Sequence, residues 1–137
     1  MQPLSSSSRG WTIGPLHAAL LGAVWPLFLG ALLSDYAYWR SYHIQWSNFA
    51  AWLLVGAMVM ATLALVCAIV ALIRGQRHLG YVLVLLATWG VGFFDAVHHG
   101  RDAWAIMPTA LVLSVIATAL ALVATVLGFA RLRGGAR

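Results

Sequence analysis

Four long apolar stretches alternate with short polar segments along the chain. The apolar stretches cover residues 16–34, 49–73, 79–97 and 103–130. A helix needs about 20 mainly apolar residues to cross the hydrocarbon core of a bilayer. The pattern therefore predicts an all-α integral membrane four-helix bundle, a single domain over residues 14–131. The predicted helices lie at about residues 15–35, 47–74, 79–99 and 103–131, with tails at residues 1–13 and 132–137.

Small side chains recur at helical spacing in the second and fourth stretches. Those of the second stretch are Ala50, Ala57, Ala61, Ala64, Ala68 and Ala71, and those of the fourth are Ser114, Thr118, Ala121, Thr125 and Gly128. Small residues allow helix backbones to approach closely inside a membrane, where packing drives association. Both stripes are therefore predicted to be helix-packing faces.

The third stretch carries polar side chains at steps of three, four and seven residues. The series comprises Tyr81, Thr88, Gly92, Asp95, His99 and Asp102, with His98 beside it. An ionisable residue within a membrane span is rare, faces protein or water, and is a candidate functional residue. Asp95 is the strongest such candidate in this chain.

Local signals predict where the helices begin, end and bend. Ser47 is expected to cap the second helix and Gly75 to end it, whereas Asp102 is expected to cap the fourth. Pro108 then falls early in the fourth helix, where proline costs little. Pro26 lies in mid-span of the first helix and is expected to kink it, because proline removes a backbone hydrogen bond.

The composition excludes a water-soluble globule. Hydrophobic residues make up 63% of the 137 residues and charged residues only 8%, too few polar groups to coat a soluble domain. The net charge of +5 comes from arginines in loops and tails, so nucleic-acid binding is not expected. Cys67 is the single cysteine, which excludes an intramolecular disulfide. No phosphate-binding glycine loop or nucleophile elbow is present, and we do not expect an enzyme.

The arginines predict the orientation of the bundle. One side would hold Arg9, Arg74, Arg77, Arg131, Arg133 and Arg137, and the other only Arg40 and Arg101. Because cytoplasmic loops are enriched in arginine and lysine, both termini and both tails are predicted to be cytoplasmic. The outer connections, at about residues 35–47 and 98–103, are rich in aromatic residues typical of membrane surfaces, namely Tyr36, Tyr38, Trp39, Tyr42, Trp46 and the adjoining Trp104.

The same outer side collects the polar residues that could carry chemistry. This candidate cluster contains Asp35, Arg40, His43, Asp95, His98, His99, Arg101 and Asp102. In the first interpretation, the two intramembrane-edge aspartates, Asp35 and Asp95, pair with an arginine or a histidine and tie the first and third helices together. In the second, Asp95 and His98 or His99 bind a metal ion, completed by His43 or Asp35. The third is proton or redox chemistry at the histidines, including haem ligation.

Topology limits the haem interpretation. His17 and His78 belong to the inner side and His43, His98 and His99 to the outer side, about 30 Å away across one span. His17 and His98 therefore cannot ligate one haem. The remaining pairs are His43 with His98 or His99, and His17 with His78, whereas His17 alone is expected to be an isolated histidine at the membrane edge.

Several segments resemble one bacterial membrane family. They are Leu16-His17-Ala18-Ala19-Leu20, Asp35, the run Phe94-Asp95-Ala96-Val97-His98-His99-Gly100-Arg101-Asp102-Ala103-Trp104, and Pro108-Thr109. Over about residues 14–129 the chain is similar to the domain-of-unknown-function 2231 (DUF2231) family. It departs from the family pattern in two places: Ala18 follows His17 where the family has a proline, and Trp25 precedes Pro26 where the family has a second histidine before a Phe-Pro pair. The positions that the resemblance marks are His17, Asp35, Asp95, His98, Arg101 and Asp102.

The resemblance implies four transmembrane helices, no established activity, and association of some relatives with periplasmic quinoprotein-type dehydrogenases. We therefore predict a multi-pass protein of the bacterial inner membrane that acts as an anchor or interaction subunit, with the bilayer, a periplasmic redox protein and further copies of itself as partners. We expect no cofactor. The alternatives are an electron-transfer subunit that binds haem b or a transition metal, and a small proton-coupled transporter.

Overall fold

A computed structural model describes residues 13–134, with side chains placed through Arg131. Its elements are α1 (Pro15–Ser41), α2 (Ile44–Ile73), α3 (Leu79–His99), a short 3-10 helix (Ala103–Ala105) and α4 (Thr109–Gly134). No strand occurs in this part of the chain. Arg9, Arg137 and nearly all of the predicted N-terminal tail lie outside the described residues.

All four α-helices are long and apolar enough to cross a membrane. In the most apolar window of each helix, only 28–33% of the residues are buried inside the bundle. Large apolar side chains such as Trp52 and Val126 therefore point outward, as expected of helices that contact lipid. The predicted all-α architecture with four helices long and apolar enough to cross a membrane is confirmed.

The helices form a closed ring in which α1 packs on α2 and α4, and α3 packs on the same two helices. Short connections join consecutive helices, which run antiparallel. We name the end with the connections 42–43 and 100–108 the aromatic end. The opposite end, with residue 13, the connection 74–78 and the C-terminus of α4, is the terminal end. An even number of helices places the start of α1 and the end of α4 at this terminal end.

Small residues bring the helices together as their spacing predicts. The fully buried alanines of the α2 stripe are Ala50, Ala57, Ala61, Ala64 and Ala68. In α3, a Cβ atom at Gly92 would lie 2.6 Å from Cζ of Phe28 and 2.8 Å from Sδ of Met58. In α4, a Cβ atom at Gly128 would collide with the side chain of Leu21. The predicted packing faces of α2 and α4 are confirmed.

Three helix boundaries differ from those expected. α1 continues to Ser41 and ends where Tyr42 adopts a left-handed conformation with φ of 52°. This tight turn leaves only residues 42 and 43 before α2, so Ser47 lies buried inside that helix instead of capping it. The N-cap prediction for Ser47 is therefore wrong.

The connection between α3 and α4 also corrects a prediction. The backbone amide of Trp104 donates to Oδ1 of Asp102 at 3.3 Å, so Asp102 caps the short 3-10 helix. α4 begins later, at Thr109, directly after Pro108. Asp102 therefore does not cap the fourth helix, because that helix begins farther along the chain than the Asp102 side chain reaches. The predicted end of α2 at Gly75 is confirmed by its φ of 87°.

Candidate functional site

A set of four polar side chains meets inside the bundle near the aromatic end. Asp35 comes from α1, Asp95 and His99 come from α3, and Ser114 comes from α4. Asp35, Asp95 and Ser114 are fully buried, and the His99 side chain is only 1% exposed. We call these four residues the buried cluster.

The helical spacing of the sequence explains why these residues meet. Asp95 and His99 are one turn apart, on the α3 face that also buries Gly92. Asp35 continues the buried face of α1, and Ser114 lies on the small-residue stripe of α4. Since these faces all line the interior of the four-helix ring, polar side chains at similar depths are brought into contact.

His99 connects the two aspartates through both of its ring nitrogens. Nε2 lies 2.7 Å from Oδ1 of Asp35. Nδ1 lies 2.9 Å from the backbone oxygen of Asp95 and 3.2 Å from Oδ1 of the same residue. A carbonyl oxygen can only accept, so Nδ1 carries a proton and donates it to Asp95. Nε2 is then the nitrogen that either donates to Asp35 or accepts from it.

Ser114 joins the two carboxyl groups from the opposite side. Its Oγ contacts Oδ2 of Asp35 and lies 2.9 Å from Oδ2 of Asp95. A hydroxyl has one proton to donate, so both contacts are hydrogen bonds only when one carboxyl is protonated and donates to Ser114. A further proton lies between His99 and Asp35. These two shared protons balance the two carboxylate charges, and a neutral cluster suits a buried position in a membrane span.

One oxygen of the cluster is left without a hydrogen bond. Oδ1 of Asp95 is buried and has no hydrogen-bond partner, although Nδ1 of His99 lies 3.2 Å away. That nitrogen already donates to the backbone of Asp95. Buried polar atoms are nearly always satisfied, so this oxygen is an unusual feature of the cluster.

The structure divides the predicted eight-residue cluster into two groups. Asp35, Asp95 and His99 come together in the interior, and the other members lie apart from them. Arg40, His43, Arg101 and Asp102 are exposed, and Nε2 of the half-buried His98 donates to the backbone oxygen of Ile106 at 3.1 Å. Of the partners predicted for the two aspartates, the histidine is the one that the structure places beside both.

The structure also brings together only some of the residues predicted as metal ligands. Asp35, Asp95 and His99 each offer one ligand atom, and these atoms lie within 4.8 Å of one another. His43 is exposed in the α1–α2 connection and is not part of this group. A haem bound between His43 and His99 does not fit, because the ring of His99 is enclosed by packed helices.

His17 is not the isolated histidine that the sequence predicts. It is 5% exposed, and its Nε2 lies 2.7 Å from the hydroxyl oxygen of Tyr81 on α3. His78 lies beside the same tyrosine ring, and its Nε2 donates to the backbone oxygen of Ala68 at 2.9 Å. The two inner-side histidines are therefore neighbours at the terminal end, as their shared side predicted.

Two features of the structure are absent from the predictions, although the helical spacing of the sequence indicates both. His17, Leu21, Val24, Phe28, Ala31, Asp35 and Tyr38 follow one another at steps of four and three, and all are buried. This series places His17 and Asp35 on one inward face of α1. The sequence predicts only a packing role for Ser114. Among the hydroxyl side chains of the α4 stripe, however, it is the nearest to the aromatic end, and it therefore lies at the depth of the aspartates.

Comparison of the chain with protein-family models, with curated proteins and with solved structures finds no match. The similarity to the DUF2231 family therefore stays a prediction from the quoted segments.

Proposed function

We propose that this chain is an anchor or interaction subunit of the bacterial inner membrane that binds a partner protein at its aromatic end. Both termini lie in the cytoplasm in this proposal. Arg74, Arg77 and Arg131 at the terminal end support this orientation, since positively charged loops stay on the cytoplasmic side. Arg9 and Arg137 fall outside the described residues, and the side chain of Arg133 is not described.

The observation that carries the proposal is the joining of both connections at the aromatic end into one surface. The hydroxyl of Tyr38 donates to the backbone oxygen of Ala103 at 2.9 Å and links α1 to the 3-10 helix. The ring of Tyr42 stacks on Trp104 with centroids 5.9 Å apart and an interplanar angle of 10°. A surface held in this way loses little conformational freedom when a partner binds.

The exposed side chains of this surface are of the kinds that dominate protein interfaces. Trp39 is 44% exposed and Trp104 is 70% exposed, and Arg40 and Arg101 are exposed beside them. Tryptophan, tyrosine and arginine supply most of the binding energy at interfaces. Asp102 offsets only one of the two arginine charges, so the fitting partner surface carries carboxylates. A periplasmic oxidoreductase is the partner class that the family resemblance favours.

The buried cluster lies in the bundle interior close to the same surface and links the helices that carry it. It connects α1, α3 and α4 within one turn or two of the aromatic end. The apolar outer faces of the helices hold the molecule in the bilayer, while this connection holds the helix ends in a fixed arrangement. The chain thus combines a membrane anchor with a preorganised binding surface.

Photo-crosslinking in living cells tests the proposal. A photoreactive phenylalanine derivative at position 39 is expected to give one discrete adduct with a soluble periplasmic protein. Reversing both outer charges, with Arg40→Glu and Arg101→Glu, is expected to lower the adduct yield at least tenfold, because the partner's carboxylates are then repelled.

The matched control reverses two charges at the other end, with Arg74→Glu and Arg77→Glu. This variant must first be shown to keep its orientation in the membrane. It is expected to leave the adduct from position 39 unchanged. Adducts that persist after reversal of Arg40 and Arg101, or that form equally from position 73 at the terminal end, contradict the proposal.

A further inference from the structure

We propose that the buried cluster is a binding site for one divalent transition-metal ion of the zinc type, with Asp35, Asp95 and His99 as its ligands. The inference is independent of partner binding at the aromatic end. It concerns the interior of the bundle, and its test uses the purified chain alone.

The ligand atoms already lie at nearly the spacing that an ion requires. One atom from each of the three residues falls within 4.8 Å of the other two. Zinc binds imidazole nitrogen and carboxylate oxygen at about 2.0–2.2 Å, so two ligands of one ion lie about 3–4 Å apart. The ligand atoms would have to move closer by roughly 1 Å, a distance that small changes in side-chain torsion angles can supply.

His99 is held in the orientation that a metal ligand needs. Its Nδ1 donates to the backbone oxygen of Asp95 at 2.9 Å, which fixes the ring and its tautomer. Metal-binding histidines typically donate their second ring nitrogen to a carbonyl or carboxylate in this way. Nε2 is thereby directed at Asp35, whose Oδ1 lies 2.7 Å away.

The oxygen that lacks a hydrogen bond is a second, independent indication of a ligand. Asp95 is fully buried, and its Oδ1 has no hydrogen-bond partner among the described residues. It lies inside the cluster, 3.2 Å from Nδ1 of His99. Because that nitrogen already donates to the backbone oxygen of Asp95, this carboxylate oxygen is left for a bound cation.

Charge and donor chemistry select the class of ion. Two carboxylates balance a divalent charge, and a neutral imidazole adds none, so the loaded site is neutral inside the apolar span. Imidazole as a donor favours zinc and other transition metals over calcium and magnesium. The Ser114 hydroxyl, within hydrogen-bond distance of both carboxyl groups, is placed to orient them or to add a fourth ligand.

Calorimetric titration with zinc chloride tests the proposal on the full chain, purified in mild detergent without a polyhistidine tag and stripped with a chelator. We expect one ion per chain. Asp95→Asn and His99→Gln each remove one ligand and are expected to weaken binding at least 100-fold. The matched controls Asp102→Asn and His43→Gln alter exposed residues of the same types and are expected to bind zinc as the parent chain does.

X-ray absorption spectroscopy at the zinc edge, on the zinc-loaded parent chain, tests the site without any variant, in case a substitution prevents folding. We expect a first shell of one imidazole nitrogen and two or three oxygens. Binding that survives His99→Gln in a folded protein, binding that is lost with His43→Gln, or a shell with sulfur or several imidazoles overturns the proposal. So does the absence of binding at millimolar zinc.

Discussion

Replacing Asp35 with alanine is expected to lower the free energy of unfolding by about 3–5 kcal/mol, the cost of removing one member of a buried charged pair. The carboxylate accepts from His99 at one oxygen and contacts Ser114 at the other. Its removal leaves Nε2 of His99 enclosed in the bundle without its partner, while Ser114 keeps only its contact with Asp95. Denaturation in mixed detergent micelles, followed by circular dichroism, measures the loss.

The matched control is Asp102→Ala, which removes an aspartate near the same end of the bundle. Asp102 is exposed and caps only the amide of Trp104, so its loss should cost about 1 kcal/mol. In a double-mutant cycle, Asp35→Ala and Ser114→Ala should be less than additive, because each removes the other's partner. Equal losses for Asp35→Ala and Asp102→Ala would show that Asp35 is not buried in a bonded cluster.

Replacing Gly92 with leucine is expected to destabilise the bundle by about 1–3 kcal/mol or to prevent assembly. A Cβ atom alone would lie 2.6 Å from Cζ of Phe28 and 2.8 Å from Sδ of Met58, and the rest of the leucine has no space. Phe28 is fully buried, so its ring cannot move into solvent or lipid. The same detergent denaturation measures the effect.

Gly90 supplies the control for this substitution two residues earlier in α3. A Cβ atom at Gly90 meets no heavy atom within 4 Å. Gly90→Leu should therefore be neutral or slightly stabilising, because leucine favours helix by up to about 1 kcal/mol over glycine. Equal destabilisation by both substitutions would mean that α3 does not present Gly92 to α1 and α2.

The fold could be predicted because it depends on local periodicity. A membrane span needs only a long apolar stretch, and the packing faces follow from small residues at steps of three, four and seven. The alanines of α2 and the Gly92–Asp95–His99 face of α3 are buried for this reason. The same rule would have placed His17 and Asp35 on one face of α1.

The residues that make up the site could be predicted only in part, because the sequence places all eight polar residues of the candidate cluster at similar depths in the membrane. Depth does not determine the direction of a side chain around its helix. Arg40 and His43 lie in and after the last turn of α1, on either side of the tight turn at Tyr42, and both are exposed. No glycine signals that turn. Ser114 joins the cluster only through the packing of α4 against α1 and α3.

Solid-state NMR on the chain in lipid bilayers tests most directly whether the four helices enclose the buried cluster. The sample carries ¹⁵N-labelled histidine and ¹³C-labelled aspartate. Nε2 of His99 should show strong dipolar coupling to the side-chain carboxyl carbon of Asp35, since the nitrogen lies 2.7 Å from Oδ1, and no contact with water protons. Absence of that coupling, with His99 as hydrated as the exposed His43, would contradict the enclosed cluster.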